Sequence, residues 1–217
     1  MVVNLSQHYS LLSDWVAELR DIEIQGDRMR FRRNLERIGE VAAFEISKEL
    51  TYTEKEIQTP LGISNCKILA DQPVLATILR AGLPLHNGLL NYFDKADNAF
   101  ISAYRKHHRD GTFQINLEYL SCPSIEDRIV IISDPMIATG ASAVAALRSL
   151  QTVGQPSQIH VVSAIAATVG IEYVLREFGE KVYIWCGDID DELTAKGYIV
   201  PGLGDAGDLA FGPKSQF

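Results

Sequence analysis

Asp134 stands five residues before Thr139-Gly140, and Ser142 follows closely. A carboxylate can accept hydrogen bonds from two neighbouring hydroxyls, while the amides and hydroxyls of Thr139 and Ser142 can hold a phosphate. That order of groups suits a sugar phosphate. Two common phosphate loops are excluded: no lysine follows Gly140, and there is no G-x-G-x-x-G. A second set of groups is Arg80 followed by Ala81-Gly82. Here a guanidinium sits beside residues small enough to let backbone amides reach a pyrophosphate. The third is the basic run Arg105-Lys106-His107-His108-Arg109, which on a closing hairpin could cover a pyrophosphate and exclude water. Plainer readings stand beside each: a strand-to-helix turn capped by serine, a strand-end arginine paired with a surface acid, and a solvated loop tip.

The elements around these residues read as a layered α/β chain. Residues 129–132 form a β-branched run that fits a buried parallel strand, and Pro135 ends it. The small residues 139–142 then open a helix over about 143–150, so free amides and a helix N-terminus converge on one place. Residues 74–79 read as a second buried strand ending at Arg80, with a helix over 83–92 that tolerates Pro84 in its first turn. Residues 99–104 and 113–120 read as hairpin strands about an Asp110-Gly111 turn. Residues 158–167, 169–178 and 181–186 read as strand, helix, strand. The β-α-β-α-β order from residue 129 predicts a parallel sheet with helices on its faces and ligands beyond the strands' carboxyl ends. Upstream, residues 5–19 are weakly helical. Residues 27–50 form a stronger helix with Phe31, Leu35, Ile38, Ala42 and Ile46 on one face. Residues 51–69 read as an exposed strand or hairpin with a Pro60-Leu61-Gly62 turn. The acidic run 187–192 reads as a solvated turn, with a metal site as the alternative. Residues 197–212 are glycine-rich, but Tyr198, Ile199, Val200, Leu203 and Phe211 can anchor them.

Composition narrows the function classes. The 217 residues, 47% hydrophobic and 22% charged, suit one globular domain with a full core. A net charge of −8 weighs against a nucleic-acid-binding surface. Cys66, Cys122 and Cys186 lack metal-ligand spacing and read as reduced thiols. No signal peptide is evident, and the most apolar stretch, 159–171, is too short to span a bilayer.

The stretch Asp134-Pro135-Met136-Ile137-Ala138-Thr139-Gly140-Ala141-Ser142 resembles the ribose-phosphate loop of the type I phosphoribosyltransferases, and its Asp-Pro-Met form is similar to that of the uracil phosphoribosyltransferase family. Ile78-Leu79-Arg80-Ala81-Gly82-Leu83 and Gly197-Tyr198-Ile199-Val200-Pro201-Gly202-Leu203-Gly204-Asp205-Ala206-Gly207-Asp208 follow the family's order, so the resemblance spans about residues 32–212. It implies a mostly parallel α/β sheet with helices on both faces and a small irregular lid. It also implies one domain over 1–217, with a helical arm at about 1–50 and a base-binding lid at about 187–217. The implied reaction is uracil plus 5-phosphoribosyl 1-pyrophosphate (PRPP) giving UMP and pyrophosphate, with Mg²⁺ as cofactor.

The resemblance also assigns residues. PRPP would be held by Arg80, Arg105, Asp134, Pro135, Met136, Ile137, Ala138, Thr139, Gly140, Ala141, Ser142 and Asp205. Uracil would meet Tyr198, Ile199, Gly204, Asp205 and Ala206. Catalysis would rest on Arg80, Arg105, Asp134 and Asp205. Mg²⁺ would be held mainly through PRPP, with Asp205 as a further ligand. Family members often carry a cis peptide in the pyrophosphate loop, which by analogy falls at Arg80-Ala81. Further implications are a homo-oligomer (dimer or higher) with the arginine-bearing helix near its interface, GTP as an effector, a cytoplasmic location, and no membrane or nucleic-acid partner. Alternatives from the same resemblance are a nucleotide-sensing RNA-binding attenuator on this fold and a transferase for another base. Three positions depart from the commonest pattern: Ala141 and Pro84 where glycine is usual, and Leu209 where a basic residue is. If Ala141 needed φ > 0, it would cost about 1 kcal/mol.

Overall fold

The structure is a computed structural model; it describes residues 1–107 and 113–214, with the main chain alone for 103–107 and 113–118. The chain begins β1 (Val2–Asn4), α1 (Leu11–Arg20), α2 (Arg28–Ser47), β2 (Tyr52–Thr59), β3 (Gly62–Leu69), β4 (Val74–Leu79) and α3 (Leu83–Tyr92). It continues β5 (Asp97–His107), β6 (Phe113–Ser121), β7 (Ile129–Ser133), β8 (Met136–Ile137), α4 (Ala141–Leu150), β9 (Gln158–Ala167) and α5 (Thr168–Phe178). It closes with β10 (Val182–Asp190), β11 (Glu192–Leu193), β12 (Ile199–Val200) and α6 (Ala206–Phe211).

The main sheet runs β1-β10-β9-β7-β4-β5-β6, with β8 beside β9. All its pairings are parallel except β5 with β6. The chain leaves β4 for β5 on one side and β7 for β9 on the other, so the strand order reverses between β4 and β7. A crevice at such a switch point is where open α/β sheets bind ligands.

Side chains alternate across this sheet because successive strand residues face opposite ways. Leu75 and Ile131 join α1, α2 and α3 in one core layer. Val74, Ala76, Val130 and Ile132 join α4 and α5 in the other. Helices therefore cover both faces, as the sequence predicts. Short polar side chains fix the helix starts: Asp27 Oδ1 accepts from Met29 N at 3.0 Å and Arg30 N at 3.1 Å, and Ser10 Oγ accepts from Leu12 N at 3.3 Å.

The structure departs from the sequence expectations in three places. β1 is too short for a periodic signal, yet it extends the sheet by pairing with β10. β8 continues as strand past Pro135, because the Pro135 carbonyl accepts from Ala164 N and Ile165 N at 3.1 Å each. The acidic run 187–192 is not a solvated turn: β10 runs through Asp190. Strand is tolerated there because Arg20 offsets the charge of Asp188 and Asp190 at 2.9 and 2.8 Å. The Asp110-Gly111 turn lies outside the described residues, although β5 and β6 pair antiparallel as a hairpin requires.

The arginines of α2 mostly meet groups of their own chain. Arg33 pairs with Glu36 at 2.8 Å, Arg30 pairs with Glu18, and Arg37 lies 5.5 Å over the Trp15 ring. Arg32 donates to Ala210 O at 2.7 Å, tying α2 to α6.

His160 sits fully buried in β9. Trp185 Nε1 donates to its Nδ1 at 3.0 Å, so the neutral ring carries its proton on Nε2. Burial lowers its pKa from 6.5 to about 4. Burial also lowers that of His86, whose Nε2 lies 2.8 Å from Asn98 Oδ1. The unfolded chain therefore binds protons more tightly, and stability falls as pH drops from about 6.5 towards 4. At 1.36 kcal/mol per pKa unit, His160 accounts for roughly 3 kcal/mol of that loss. Urea unfolding at pH 7 and pH 4.5 should show it, and His160→Gln should flatten the pH slope; an unchanged slope would contradict this assignment.

Candidate active site

Two loops leave the sheet side by side at the switch point. β4 and β7 are paired in register, Thr77 opposite Ser133. β4 delivers Arg80-Ala81-Gly82, and β7 delivers Asp134. The Ser133 hydroxyl lies 3.2 Å from Ala76 O and 3.5 Å from Gly82 O, tying the loops together beneath. Gly82 is needed for space: a Cβ there would lie 2.4 Å from Thr77 Oγ1 and 2.6 Å from Ser133 O. The cis bond implied at Arg80-Ala81 is found one bond earlier, at Leu79-Arg80.

Asp134, Met136, Ile137, Ala138, Thr139, Gly140, Ala141 and Ser142 line one small cavity at the start of α4. The Asp134 N–H donates to Val162 O at 3.0 Å, which fixes its backbone beside β9. Gly140 caps α4 in the left-handed region, at φ 77° and ψ −8°. A Cβ on it would lie 2.6 Å from Gly170 O, so both backbone conformation and space require glycine. Thr139 Oγ1 accepts from Ala141 N at 3.4 Å. The first-turn amides of α4, which have no acceptor of the i−4 kind within the helix, belong to residues that line this cavity. Pro135 is not among the lining residues: it is buried, and its carbonyl accepts from Ala164 N and Ile165 N of β9. Ile137 is 1% exposed, with its side chain packed in the core layer that holds α4 and α5.

The C-terminal segment folds over both loops. The position of a Cβ on Gly197 is 3.4 Å from Thr139 Cγ2, and that of a Cβ on Gly207 is 3.8 Å from Ala81 Cβ. Arg80 Nη2 donates to Gly212 O at 3.3 Å and lies 3.8 Å from Asp208 Oδ1. Asp205 Oδ1 caps α6 by accepting from Asp208 N at 3.0 Å. Lys214 Nζ lies 3.8 Å from Asp205 Oδ2. Ile199, Leu203 and Ala206 are buried in the core and anchor this irregular segment. Tyr198 is exposed, with its N–H donating to Thr194 Oγ1 at 3.1 Å.

The expected site residues thus gather at one end of the sheet, with two qualifications. Arg105 sits opposite Ile115 in the β5–β6 register. It is three residues beyond Ser102, the partner of Leu79 at β4's end; its side chain, like residues 108–112, lies outside the described residues. The side chain of Ile199 belongs to the core, leaving its backbone for any base contact. Sequence reasoning missed Thr77, Ser133, Asp208 and Lys214. A hydroxyl within an otherwise apolar strand was the available signal for the first two.

The three departures from the commonest family pattern each have a plain place in the fold. Ala141 lies in the helix, and Asp127 is the described non-glycine residue with φ > 0, so the alanine carries no backbone strain. Pro84 lies in the first turn of α3. Leu209 packs against the core. Burial, with Asp188 adding repulsion, pushes the Cys186 thiol up to about 12, which leaves it no nucleophilic role.

Among the described residues no group of three or more acidic, histidine or cysteine side chains is disposed to hold a metal ion. The carboxylate of Asp205 already serves as a helix cap. This donor set fits a Mg²⁺ ion that arrives with a polyphosphate and brings most of its own ligands, not one caged by protein.

A cavity at the switch point, beside a strand-end arginine and a glycine-rich segment, is the arrangement that the sequence resemblance to the type I phosphoribosyltransferases implies. A family model described as uracil phosphoribosyltransferase matches residues 6–213. A curated uracil phosphoribosyltransferase of Porphyromonas gingivalis is 51% identical over 98% of this chain and 99% of its own. One from Methanothermobacter thermautotrophicus is 38% identical over 92% of each chain. The solved structure of the AQ2163 protein from Aquifex aeolicus is 32% identical and superposes with a TM-score of 0.86, covering 98% of both chains. The chain belongs to the uracil phosphoribosyltransferase family.

Proposed function

We propose that the protein transfers the 5-phosphoribosyl group of PRPP to N1 of uracil, releasing pyrophosphate and forming UMP for pyrimidine salvage. The observation that carries this reading is the meeting of the Asp134 cradle, the Arg80 loop and the glycine-rich segment at one switch point, in a chain of this family. Asp134 accepts hydrogen bonds from the ribose hydroxyls, and the amides of residues 139–142 hold the 5-phosphate. Arg80, with Arg105, binds the pyrophosphate and balances its growing charge as it leaves. C1′ then passes through an oxocarbenium-like state, and the carboxylate of Asp134 favours that positive charge. Mg²⁺ would be held mainly through PRPP, with Asp205 as a further ligand, and would supply charge neutralisation on the leaving group. The lid excludes water, so uracil N1 is the acceptor.

Base selection falls to main-chain groups near Gly204 and Ala206, with Tyr198, Ile199 and Asp205 beside them. Uracil offers O2, N3–H and O4; cytosine inverts the pattern at N3 and C4 and leaves buried groups unpaired, a mismatch that can cost about 10⁴-fold. Labelled uracil, cytosine, hypoxanthine and orotate, each with PRPP and Mg²⁺, should give product from uracil alone. Equal product from cytosine would contradict the base assignment. Homo-oligomerisation, a GTP effect and a cytoplasmic location belong to the same proposal, supported by the family resemblance. Sedimentation and UMP formation with and without GTP test the first two. Among the described residues no helix is long and apolar enough to cross a membrane.

A further inference from the structure

α1 lies far in sequence from every residue assigned to the site, yet its last residue grips the base-binding segment. Arg20 Nη1 donates to Asp190 Oδ2 at 2.8 Å and to Gly202 O at 3.0 Å. Its Nη2 donates to Asp190 Oδ1 and Asp188 Oδ2, both at 2.9 Å. All four terminal N–H bonds of the guanidinium are therefore in use. Asp190 Oδ2 also accepts from Gly202 N at 3.0 Å. The Gly202 residue is thus held at both its N–H and its C=O, by the two halves of one ion pair. The pair is sheltered, with Arg20 19% and Asp190 7% exposed, so water competes weakly for these bonds. The turn after α1 adds a contact. Gln25 Nε2 donates to Arg20 O at 2.9 Å and Leu19 O at 3.3 Å, and its Oε1 lies 4.0 Å from the position of a Cβ on Gly204.

We propose that Arg20 is a positioning residue for base recognition, acting with Asp190 to set the register of residues 202–206 against the nucleobase. This rests on the functional reading above. The chemistry explains why arginine stands there. Only a planar fork can hold Asp190 through two parallel bonds and still reach Gly202 and Asp188. A lysine keeps the charge but loses that fork. Asp188 serves as a control, because it shares Arg20 without touching Gly202; its Oδ1 accepts from Ile189 N at 2.9 Å and lies 3.4 Å from Asn4 Nδ2.

The test uses the full-length enzyme. Arg20→Lys should raise KM for uracil about tenfold and weaken discrimination against cytosine by a similar factor, with KM for PRPP changed less than threefold. Asp190→Asn should behave likewise, while Asp188→Asn should keep KM for uracil within twofold. Hydrogen exchange followed by mass spectrometry gives an independent readout. In Arg20→Lys, exchange should quicken about tenfold in peptides covering residues 198–212 and stay unchanged in those covering α4 and β9. Unaltered exchange in 198–212 with an unaltered KM for uracil would overturn the proposal. So would a uniform loss, with both KM values and exchange throughout the chain moving together, because that is a purely structural role. Wild-type enzyme is assayed alongside. Failure of wild type to make UMP overturns the functional reading and this proposal with it, whereas active wild type with an indifferent Arg20→Lys overturns this proposal alone.

Discussion

Asp134→Asn is expected to lower kcat/KM for PRPP by about 10²- to 10³-fold while leaving the fold intact. The substitution preserves shape and keeps the main-chain bond from Asp134 N–H to Val162 O at 3.0 Å. What changes is charge. Hydrogen bonds to a charged acceptor contribute about 1.5–3 kcal/mol against about 0.5–1.5 for neutral pairs. Two ribose hydroxyls therefore lose roughly 2–3 kcal/mol between them. The lost carboxylate field on a positively charged ribosyl centre adds to that, and each 1.36 kcal/mol is about tenfold in rate. Steady-state kinetics with a thermal melt checks this. A well-folded Asp134→Asn enzyme with wild-type kcat/KM would remove Asp134 from the ribose site.

Gly140→Ala should be the most damaging single methyl group in the phosphate cradle. At φ 77° an L-residue costs roughly 1–2 kcal/mol. Its Cβ would also press to 2.6 Å from Gly170 O and 3.3 Å from Tyr173 Cδ1 and Val174 Cγ2. Overpacking of this kind costs roughly 1–3 kcal/mol. The two together predict a loss of about 3 kcal/mol in urea unfolding. They also predict at least a tenfold rise in KM for PRPP, since α4 must shift away from α5 and carry its first-turn amides with it. Ala141→Gly is the matched control. Ala141 has ordinary helical backbone, so glycine there should cost at most about 1 kcal/mol of helix propensity. If Gly140→Ala bound PRPP normally and unfolded like wild type, the left-handed cap would not be what shapes the cradle.

The parts legible in the sequence were those with strong local signals. β4 and β9 appear over the residues their apolar runs indicated, and α3 over Leu83–Tyr92. Asp134, Thr139 and Gly140 were legible because one continuous loop carries all three. The rest depended on long-range pairing. β1 has three residues and exists only because β10 offers an open edge. Asp188 and Asp190 read as a solvated turn, since nothing near them in sequence offsets their charge; the arginine that does so lies 168 and 170 residues away. Asp205 also caps α6 by accepting from Asp208 N, a local contact three residues on that the sequence reading did not name. Thr77 and Ser133 are hydroxyl side chains in otherwise apolar strands. Their importance appears when register sets them side by side beneath Gly82.

The central claim is phosphoribosyl transfer from PRPP to uracil, and ³¹P NMR of a single reaction mixture tests it most directly. With enzyme, PRPP, Mg²⁺ and uracil, the two pyrophosphoryl resonances of PRPP should fade as free pyrophosphate and a new phosphomonoester, that of UMP, grow at equal rates. Without uracil the PRPP spectrum should stay constant over the same interval. PRPP left unchanged in the complete mixture, or pyrophosphate released equally fast without uracil, would contradict the account.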